Sequence, residues 1–483
     1  MGAAAAGGLP ALSVARLLEA SARAHAGRPA LAWDGGRLRH DELDARASAL
    51  ARSLDARGIR PGDRVAVALP NGWQFVVAVL GALKAGATVA PLDPLLKTHE
   101  RADILADLQP AAVLEAAPAE GAAWPTRDPR GPALVLYTSG STGRPKGAVL
   151  SHEAVASAIR SWAEPVMALE PGDVVLAALP LSHSYGLNGA LLAPLLAGAT
   201  VRLVERFVPR MVTDVLRGEG VTVLPGVATM FRRLLDDDRF TGGPTLRLAL
   251  SGAAPCPWDL AREWRARTGV RILRGYGMTE LFRPISYLAA DIVDLPDAIG
   301  RAVPGVELRI VDEAGRVLPP GEVGELLIRS PAAMDGYLHA DDDTRAMLSA
   351  GWFRTGDLAS VTAGGWVRIV GRKRERILRG GYSVFPPEVE SVLLAHPEVA
   401  EAAVVGVPHP ELGEEVAAFV ALRPGARASG DDLTAYCRDR LAAFKYPRQV
   451  TLVAALPRSA TGKVLKAELT RPRSTGPARP GTP

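Results

Sequence analysis

An apolar run that ends at Tyr137 leads into the stretch Tyr137-Thr138-Ser139-Gly140-Ser141-Thr142-Gly143-Arg144-Pro145-Lys146-Gly147. Glycines let a backbone approach a ligand closely, and hydroxyls, amides and Lys146 offer donors and a cation to phosphate oxygens. The stretch therefore predicts a phosphate-binding loop after a buried strand. It is not a Walker loop, because the order Gly-x-x-x-x-Gly-Lys-Ser/Thr is absent. On composition alone, a flexible Ser/Gly surface loop is the commoner explanation.

The segments on both sides of this loop alternate between helical and strand patterns. Leu43, Ala47, Leu50 and Leu54 share one helical face within residues 41–57, and the apolar run 65–69 follows. The same alternation predicts helices at 75–83 and from about 151, and strands at 88–91, 134–137, 201–204, 221–224 and 246–250. Apolar strands spaced by helices predict a largely parallel sheet that is covered on both faces, and so an α/β fold.

The pattern changes near residue 300. Runs at 306–311 and 325–328 predict strands around a turn at 313–315, and therefore an antiparallel β portion. Beyond the basic stretch 371–376, the chain predicts helices at 387–394 and 431–441 and strands at 402–407 and 416–422. These elements suffice for a separate small α+β domain.

Composition narrows the class of function. The chain has 483 residues, of which 48% are hydrophobic and 22% charged, as in ordinary globular proteins. A net charge of +4 is too small to predict a nucleic-acid track. The sequence shows neither a signal peptide nor an apolar run long enough for a transmembrane segment. Its two distant cysteines, Cys256 and Cys437, cannot form a disulfide framework, which favours the reducing cytoplasm.

Five stretches occur in the order known from one family. They lie at 137–147, 275–280, 351–357, 371–372 and 457–463. Together they resemble the core motifs of the adenylate-forming (AMP-binding) superfamily of acyl-CoA synthetases, adenylation domains and luciferases, over roughly residues 13–470. The resemblance implies an N-terminal domain at 1–373, built from α/β subdomains and a β subdomain, and a small mobile C-terminal domain at 374–470. Residues 471–483 are expected to form a disordered tail.

The same resemblance implies a reaction in two halves. A carboxylate attacks the α-phosphate of ATP to give an acyl-adenylate and pyrophosphate, and a thiol then displaces AMP. The implied cofactors are ATP, Mg2+ and coenzyme A, and the implied substrate is a small carboxylic acid. Because the first half brings two anions together, the site must supply positive charge and amide donors.

Residue roles carried over by the resemblance fall into three groups. For catalysis, Lys463 would bridge carboxylate and phosphate, Thr279 would contact the α-phosphate, Glu280 would bind Mg2+, and His183 would gate the acyl and thiol channels unless it is structural. Arg374 would be the hinge. The nucleotide and thiol contacts would be Thr138, Ser139, Gly140, Ser141, Thr142, Gly143, Lys146, Gly252, Ala253, Ala254, Gly275, Tyr276, Gly277, Met278, Asp357, Arg372, Arg379, Gly380 and Gly381.

The acyl pocket is expected to include Tyr185, Gly189, Val227 and Phe231 by analogy with relatives. The residues themselves suggest a further hypothesis: Arg274 or Arg283, which flank the 275–280 stretch, could pair with a second acidic group on the substrate. In a chain so rich in arginine, a structural or surface role is the more ordinary explanation.

Two alternatives to an acid:CoA ligase remain open. A stand-alone adenylation enzyme would pass the acyl group to the phosphopantetheine thiol of a carrier protein, which presents the same thiol arm as CoA. A non-catalytic nucleotide-binding module is expected to have lost Lys463, Glu280 or Asp357, and all three are present.

Overall fold

The computed structural model describes residues 13–118, 120, 123–138, 145–458 and 464–470. It contains two compact units. The first comprises the described residues up to Thr355 together with Ser360–Arg368, and the second comprises Gly356–Ala359 and the described residues from Ile369 onward. The predicted domain boundary after residue 373 lies a few residues beyond Ile369 and stays a prediction. The expected tail at 471–483 lies outside the described residues.

Helices and strands alternate through the first part of the chain, as the apolar periodicity predicts. In chain order they are α1 Val14–Ala24, β1 Pro29–Trp33, β2 Gly36–Arg39, α2 His40–Ala56, β3 Arg64–Val67, α3 Trp73–Lys84, β4 Thr88–Pro91, α4 Thr98–Leu108, β5 Ala112–Leu114, β6 Leu134–Thr138, β7 Lys146–Leu150, α5 His152–Ser161, β8 Val174–Ala177, α6 Ala193–Leu196, β9 Thr200–Leu203, α7 Pro209–Gly218, β10 Val223–Gly226, α8 Ala228–Leu235, β11 Leu248–Ser251, α9 Trp258–Thr268 and β12 Ile272–Leu273. Two π-helical segments, Trp162–Val166 and Gly186–Leu192, are not predicted by the sequence.

Strands dominate the next part of the chain, and the small second unit follows. The elements are β13 Gly275–Met278, β14 Phe282–Ser286, β15 Arg301–Ala302, β16 Glu307–Val311, β17 Gly324–Arg329, β18 Gly336–Tyr337, α10 Asp341–Met347, β19 Leu348–Ser349, β20 Trp352–Val361, β21 Val367–Arg372, a 3-10 turn Lys373–Glu375, β22 Ile377–Arg379, β23 Tyr382–Val384, α11 Pro386–Leu394, β24 Val399–His409, β25 Gly413–Leu422, α12 Gly430–Arg438, β26 Gln449–Leu452 and α13 Lys466–Leu469.

The α/β part contains two sheets rather than the single sheet that periodicity predicts. One has the order β12-β11-β10-β8-β9-β1-β2 and is parallel except for the β1–β2 edge. The other has the order β18-β7-β6-β4-β3-β5, in which β7 is antiparallel to both neighbours. Strands such as Val65–Val67 are fully buried because helices cover both faces. The carboxyl ends of parallel strands share one edge, which is where such sheets bind ligands.

The two remaining expectations for the architecture are confirmed. Beyond residue 300 a sheet has the order β16-β17-β20-β19, with β21 paired to β20, and both β16–β17 and β19–β20 pair antiparallel. The second unit is a small α+β body, in which the sheet β23-β22-β25-β24, extended by β26, buries a core that includes Val384, Leu393 and Val416. Among the described residues, no helix is both long and apolar enough to cross a membrane.

Candidate functional site

The predicted phosphate loop joins two strands of an antiparallel hairpin. Strands β6 and β7 pair Thr138 with Lys146 and Tyr137 with Gly147. The Thr138 hydroxyl donates to the Lys146 carbonyl at 3.5 Å. A Cβ on Gly147 would lie 2.8 Å from a Val135 methyl carbon, so this position needs glycine. Residues Ser139, Gly140, Ser141, Thr142 and Gly143, which were predicted to contact phosphate, lie outside the described residues.

The hairpin is connected to Glu280 through Tyr337. Lys146 Nζ lies 2.7 Å from Asp343 Oδ2 and 5.5 Å from the centre of the Tyr337 ring. Tyr337 lies on β18, directly opposite Ala148 of the hairpin, and its hydroxyl donates to Glu280 Oε1 at 2.7 Å. Burial, and then the charge of Glu280, raise the pKa of Tyr337, so this hydroxyl remains a donor. One network therefore joins a cation of the hairpin to the predicted metal ligand.

The strand that leads to Glu280 requires glycine where it passes close to the neighbouring strand. Strand β13 pairs with β14, and Thr279 and Glu280 lie in the turn between them. A Cβ on Gly277 would lie 2.0 Å from the Phe282 carbonyl oxygen, so only glycine fits there. Tyr276 lies opposite Ile285, and Met278 opposite Phe282. The predicted nucleotide contacts on β13 thus share one hairpin with the turn that carries Glu280.

Predicted adenine and acyl contacts meet at the carboxyl edge of the seven-stranded sheet. Gly252, Ala253 and Ala254 follow β11, and Gly275 follows β12. The Tyr185 hydroxyl donates to Leu250 O at 2.9 Å and to Gly226 O at 3.2 Å, at the ends of β11 and β10. Burial raises the pKa of Tyr185 to about 12. The residues that the sequence predicts to contact the nucleotide and the acyl group therefore lie along the carboxyl edge of this sheet.

The predicted acyl-pocket residues differ in what they touch. The Tyr185 ring stacks on Trp162, with ring centres 5.4 Å apart. A Cβ on Gly189 would lie 2.8 Å from the same indole. Val227 caps α8 and is partly buried against the core. Phe231 is fully buried and packs edge-on to Trp264 in that core, so its contacts are those of a core residue rather than of a pocket wall.

The two arginines considered for substrate binding have different partners. Arg274 is buried and donates to Asp294 Oδ1 at 2.8 Å and to the carbonyls of Leu295 and Pro296. These contacts give Arg274 a structural role, which is the ordinary explanation for an arginine in an Arg-rich chain. Arg283 is also buried, so the surface alternative is wrong for it. Its partners are neutral groups.

His183 is hydrogen-bonded to an aspartate that the sequence motifs do not indicate. Its Nε2 lies 3.1 Å from Asp93 Oδ2, and the Asp93 side chain is only 8% exposed. Burial opposes ionisation of Asp93, but hydrogen bonds from His183 and the Leu95 amide outweigh it and lower the pKa of the carboxyl. A carboxylate partner fixes which ring nitrogen carries a proton and how the ring is oriented.

The second unit places the remaining predicted residues on strands and turns. Asp357 is buried on β20, and Arg372 Nε lies 3.4 Å from its Oδ1. Arg379 forms a two-point pair with Glu415 at 2.5 and 2.9 Å. Gly380 and Gly381 have φ values of 54° and 83° in the turn after it. Arg374 lies in the 3-10 turn, and Lys463 lies outside the described residues.

Sequence motifs could not identify three side chains that contact predicted site residues, namely Glu280, Lys146 and Tyr185. Tyr337, Asp343 and Trp162 belong to no quoted stretch, and only pairing of distant strands and helices brings them to these residues. In the described part of the chain, no group of three or more His, Cys, Asp and Glu could hold a metal ion.

Comparison with known proteins covers both units. The model of the "AMP-binding enzyme" family matches residues 18–124 and 115–338, and that of the "AMP-binding enzyme C-terminal domain" matches 388–463. A feruloyl-CoA synthase of Amycolatopsis is 36% identical over 90% of this chain and 94% of its own. The fatty acid–[acyl-carrier-protein] ligase ScoC of Streptomyces coeruleorubidus is 34% identical over 91% and 92%. ATP-bound MatB of Rhodopseudomonas palustris superposes with a TM-score of 0.89, with 34% identity, 94% coverage of this chain and 98% of that chain.

Substitution of Asp93 tests its pairing with His183. Because the folded-state pKa of Asp93 is lowered, its contribution to stability exists above the unfolded-state value of about 3.9 and is lost as pH falls through the folded value. Asp93→Asn should therefore reduce the free energy of unfolding at pH 7 by about 1 kcal/mol, with the difference shrinking below pH 4.

Urea denaturation from pH 7 down to pH 3 measures this difference. The control is Asp128→Asn, which removes a 73% exposed partner of Arg16 and should change stability by less than about 0.5 kcal/mol. An Asp93→Asn difference that is equal at every pH would refute the assigned coupling.

Proposed function

Because the chain belongs to the AMP-binding enzyme family, we propose that it is an AMP-forming acid:CoA ligase. In the first half-reaction, an oxygen of the substrate carboxylate bonds to the α-phosphorus of ATP, and the bond from that phosphorus to the bridging oxygen of pyrophosphate breaks. In the second, the sulfur of coenzyme A bonds to the acyl carbon as AMP leaves, and the thiol proton is released. The main support for the proposal is that Tyr337 contacts both Lys146, through its ring, and Glu280, through its hydroxyl.

The hairpin residues would act on the phosphates. The Lys146 ammonium lies beside the loop that the resemblance assigns to ATP. Thr138 and residues 139–143 would contribute hydrogen-bond donors to the phosphates. The pairing of Lys146 with Asp343 and Tyr337 holds the ammonium in place before ATP binds. A positive charge that is already oriented lowers the free-energy cost of bringing a carboxylate to a phosphate.

Glu280 fits the proposed role of magnesium ligand. A carboxylate is the hard oxygen donor that Mg2+ prefers, and Mg2+ usually completes its shell with phosphates and water. In the described part of the chain, the Tyr337 hydroxyl donates to Oε1 and no side chain donates to Oε2, so Oε2 is available to a cation. Bound Mg2+ would neutralise phosphate charge. Thr279, in the same turn, would contact the α-phosphate, while Tyr276, Gly275, Gly277, Met278 and the 252–254 segment would border the base.

The second unit would contribute the mobile groups. Lys463 is proposed to stabilise charge in the adenylation transition state, and Asp357 with Arg372 to contact the ribose. Arg374 would be the hinge about which Lys463 is withdrawn, and Arg379, Gly380 and Gly381 would then face the thiol. The positive φ values of both glycines suit a tight turn past which a narrow pantetheine arm can run.

His183 is proposed as the gate between the acyl and thiol channels. Its bond to Asp93 supports a fixed ring orientation. We also propose a cytoplasmic location, which the two free cysteines, Cys256 and Cys437, support.

A carrier protein is the second candidate acceptor of the acyl group. The similarity to the ScoC acyl-carrier-protein ligase, at 34% identity over 91% of this chain, favours it specifically. Both acceptors offer a phosphopantetheine thiol, so the same residues of the second unit would serve either.

Release of pyrophosphate tests the proposed reaction directly. The purified protein is assayed with ATP, Mg2+ and a panel of aliphatic, aromatic and dicarboxylic acids, each with and without CoA. We expect acid-dependent release that CoA stimulates, together with an acyl-CoA product identified by mass. Acid-dependent release that CoA does not stimulate would support a carrier protein, whereas no release with any acid would support a non-catalytic nucleotide-binding module.

Lys463→Ala separates the two half-reactions. Loss of a group that stabilises the charge of the adenylation transition state should slow adenylate formation by about 100-fold or more and leave thiol transfer from preformed acyl-adenylate within a few-fold. Single-turnover assays of each half measure this. The matched control is Lys445→Ala, which removes a lysine paired with Glu388 in the same unit and should leave both rates unchanged. Equal losses in both halves would contradict the assigned role.

A further inference from the structure

Arg283 is a buried cation whose three hydrogen-bond partners are neutral. Its side chain leaves β14, and the residue is 6% exposed. Nε donates to Ser286 Oγ at 2.9 Å, one terminal nitrogen to Ser251 O at 3.0 Å, and the other to Leu273 O at 3.1 Å. Throughout the described ranges, no carboxylate forms an ion pair with this guanidinium. These three bonds use three of its five N–H groups.

The other buried arginines of the described chain are paired with carboxylates. Three arginines are buried in the described chain: Arg202, Arg274 and Arg283. Arg202 pairs with Asp34 and Glu219, and Arg274 pairs with Asp294. Charged groups are rarely buried without a partner, because desolvation is costly. Burial lowers the pKa of Arg283, with a partial offset from Tyr185. Arg283 is thus the one member of this group that lacks a carboxylate.

The guanidinium lies at the ligand-binding edge of the sheet. A Cβ on Gly275 would lie 2.3 Å from its central carbon, and a Cβ on Gly252 would lie 3.1 Å from one terminal nitrogen. Both glycines follow parallel strands at that edge, and both belong to the stretches proposed to border the nucleotide. Arg283 also covers the Trp162 ring at 5.0 Å, on which Tyr185 stacks. The charge therefore occupies space beside the proposed acyl pocket.

In the described chain, two buried donors without acceptors line the same small cavity as Arg283. Ser161 Oγ and Trp162 Nε1 are buried without a hydrogen-bond partner among the described residues. Both residues line a small cavity that Arg283 also lines. An ionised acid is an acceptor-only group, so it complements a guanidinium and unpaired donors.

We propose that Arg283 binds a second acidic group of the substrate, so that the enzyme activates short acids that carry a further carboxylate or sulfonate. This proposal rests on the proposed ligase function and names its substrate class. The second acidic group would supply the negative charge that no side chain of the described residues places beside Arg283. The guanidinium would also shorten the space available to a purely apolar chain.

Matched acid pairs test the proposal. Acid-dependent pyrophosphate release is measured for butanoate against butanedioate, and for butanoate against 3-sulfopropanoate, so that carboxylate and sulfonate are distinguished. Wild type should have at least a tenfold higher kcat/KM for one of the two doubly acidic compounds. Arg283→Met should lower that ratio by about 10- to 100-fold, chiefly by raising KM, and Arg283→Lys should recover part of it. Arg160→Met, at an exposed site on α5, should leave the ratio unchanged.

The possible outcomes separate this inference from the ligase function. A wild-type preference for butanoate, or an unchanged ratio in Arg283→Met, would overturn the role of Arg283 while leaving acid activation intact. Absence of release with every acid would contradict the ligase function itself. If thermal melting shows that Arg283→Met does not fold, the wild-type ratio and Arg283→Lys decide.

Discussion

The hydrogen bond from Tyr337 to Glu280 is the contact on which the proposed nucleotide site depends. Tyr337 also lies under Lys146 and pairs through its backbone with the strand that carries this lysine. A short edge strand therefore fixes the position of a cation and of a carboxylate that are far apart in sequence. Burial holds the tyrosine in its donor form. Hydrogen bonds to charged groups are among the stronger ones, so this contact can restrain the Glu280 turn before any ligand arrives.

A second constraint is the use of glycine at positions where neighbouring atoms fill the space that a side chain would need. Gly277 admits the Phe282 carbonyl, while Gly252 and Gly275 admit the Arg283 guanidinium. Any side chain at these positions would displace the groups that define the proposed site. Arg274 and Arg283, which flank one motif, differ in their partners. Asp294 neutralises the first, and neutral carbonyls leave the charge of the second available.

Much of the architecture could be predicted from local patterns, because apolar periodicity follows directly from burial. Helix α3 and strand β4 lie almost where the pattern predicts them. Strand β7 was missed, since five residues beside a Gly-rich loop carry too weak a pattern, and the division into two sheets depends on long-range pairing. For the site, motifs predicted Lys146 and Glu280 but not Tyr337, Asp343 or Asp93, whose roles arise only from contacts between distant segments.

The Mg2+ dependence of acid-dependent ATP–pyrophosphate exchange in Tyr337→Phe tests whether the bond from Tyr337 positions Glu280. This variant should need more Mg2+ for half-maximal exchange and lose about tenfold in rate, because Glu280 is no longer held by a charged hydrogen bond. Tyr436→Phe, which removes a hydroxyl bonded to Ala395 O at 3.4 Å in the second unit, should behave as wild type. Exchange in Tyr337→Phe with the wild-type rate and Mg2+ dependence would show that this hydrogen bond does not position the proposed magnesium ligand.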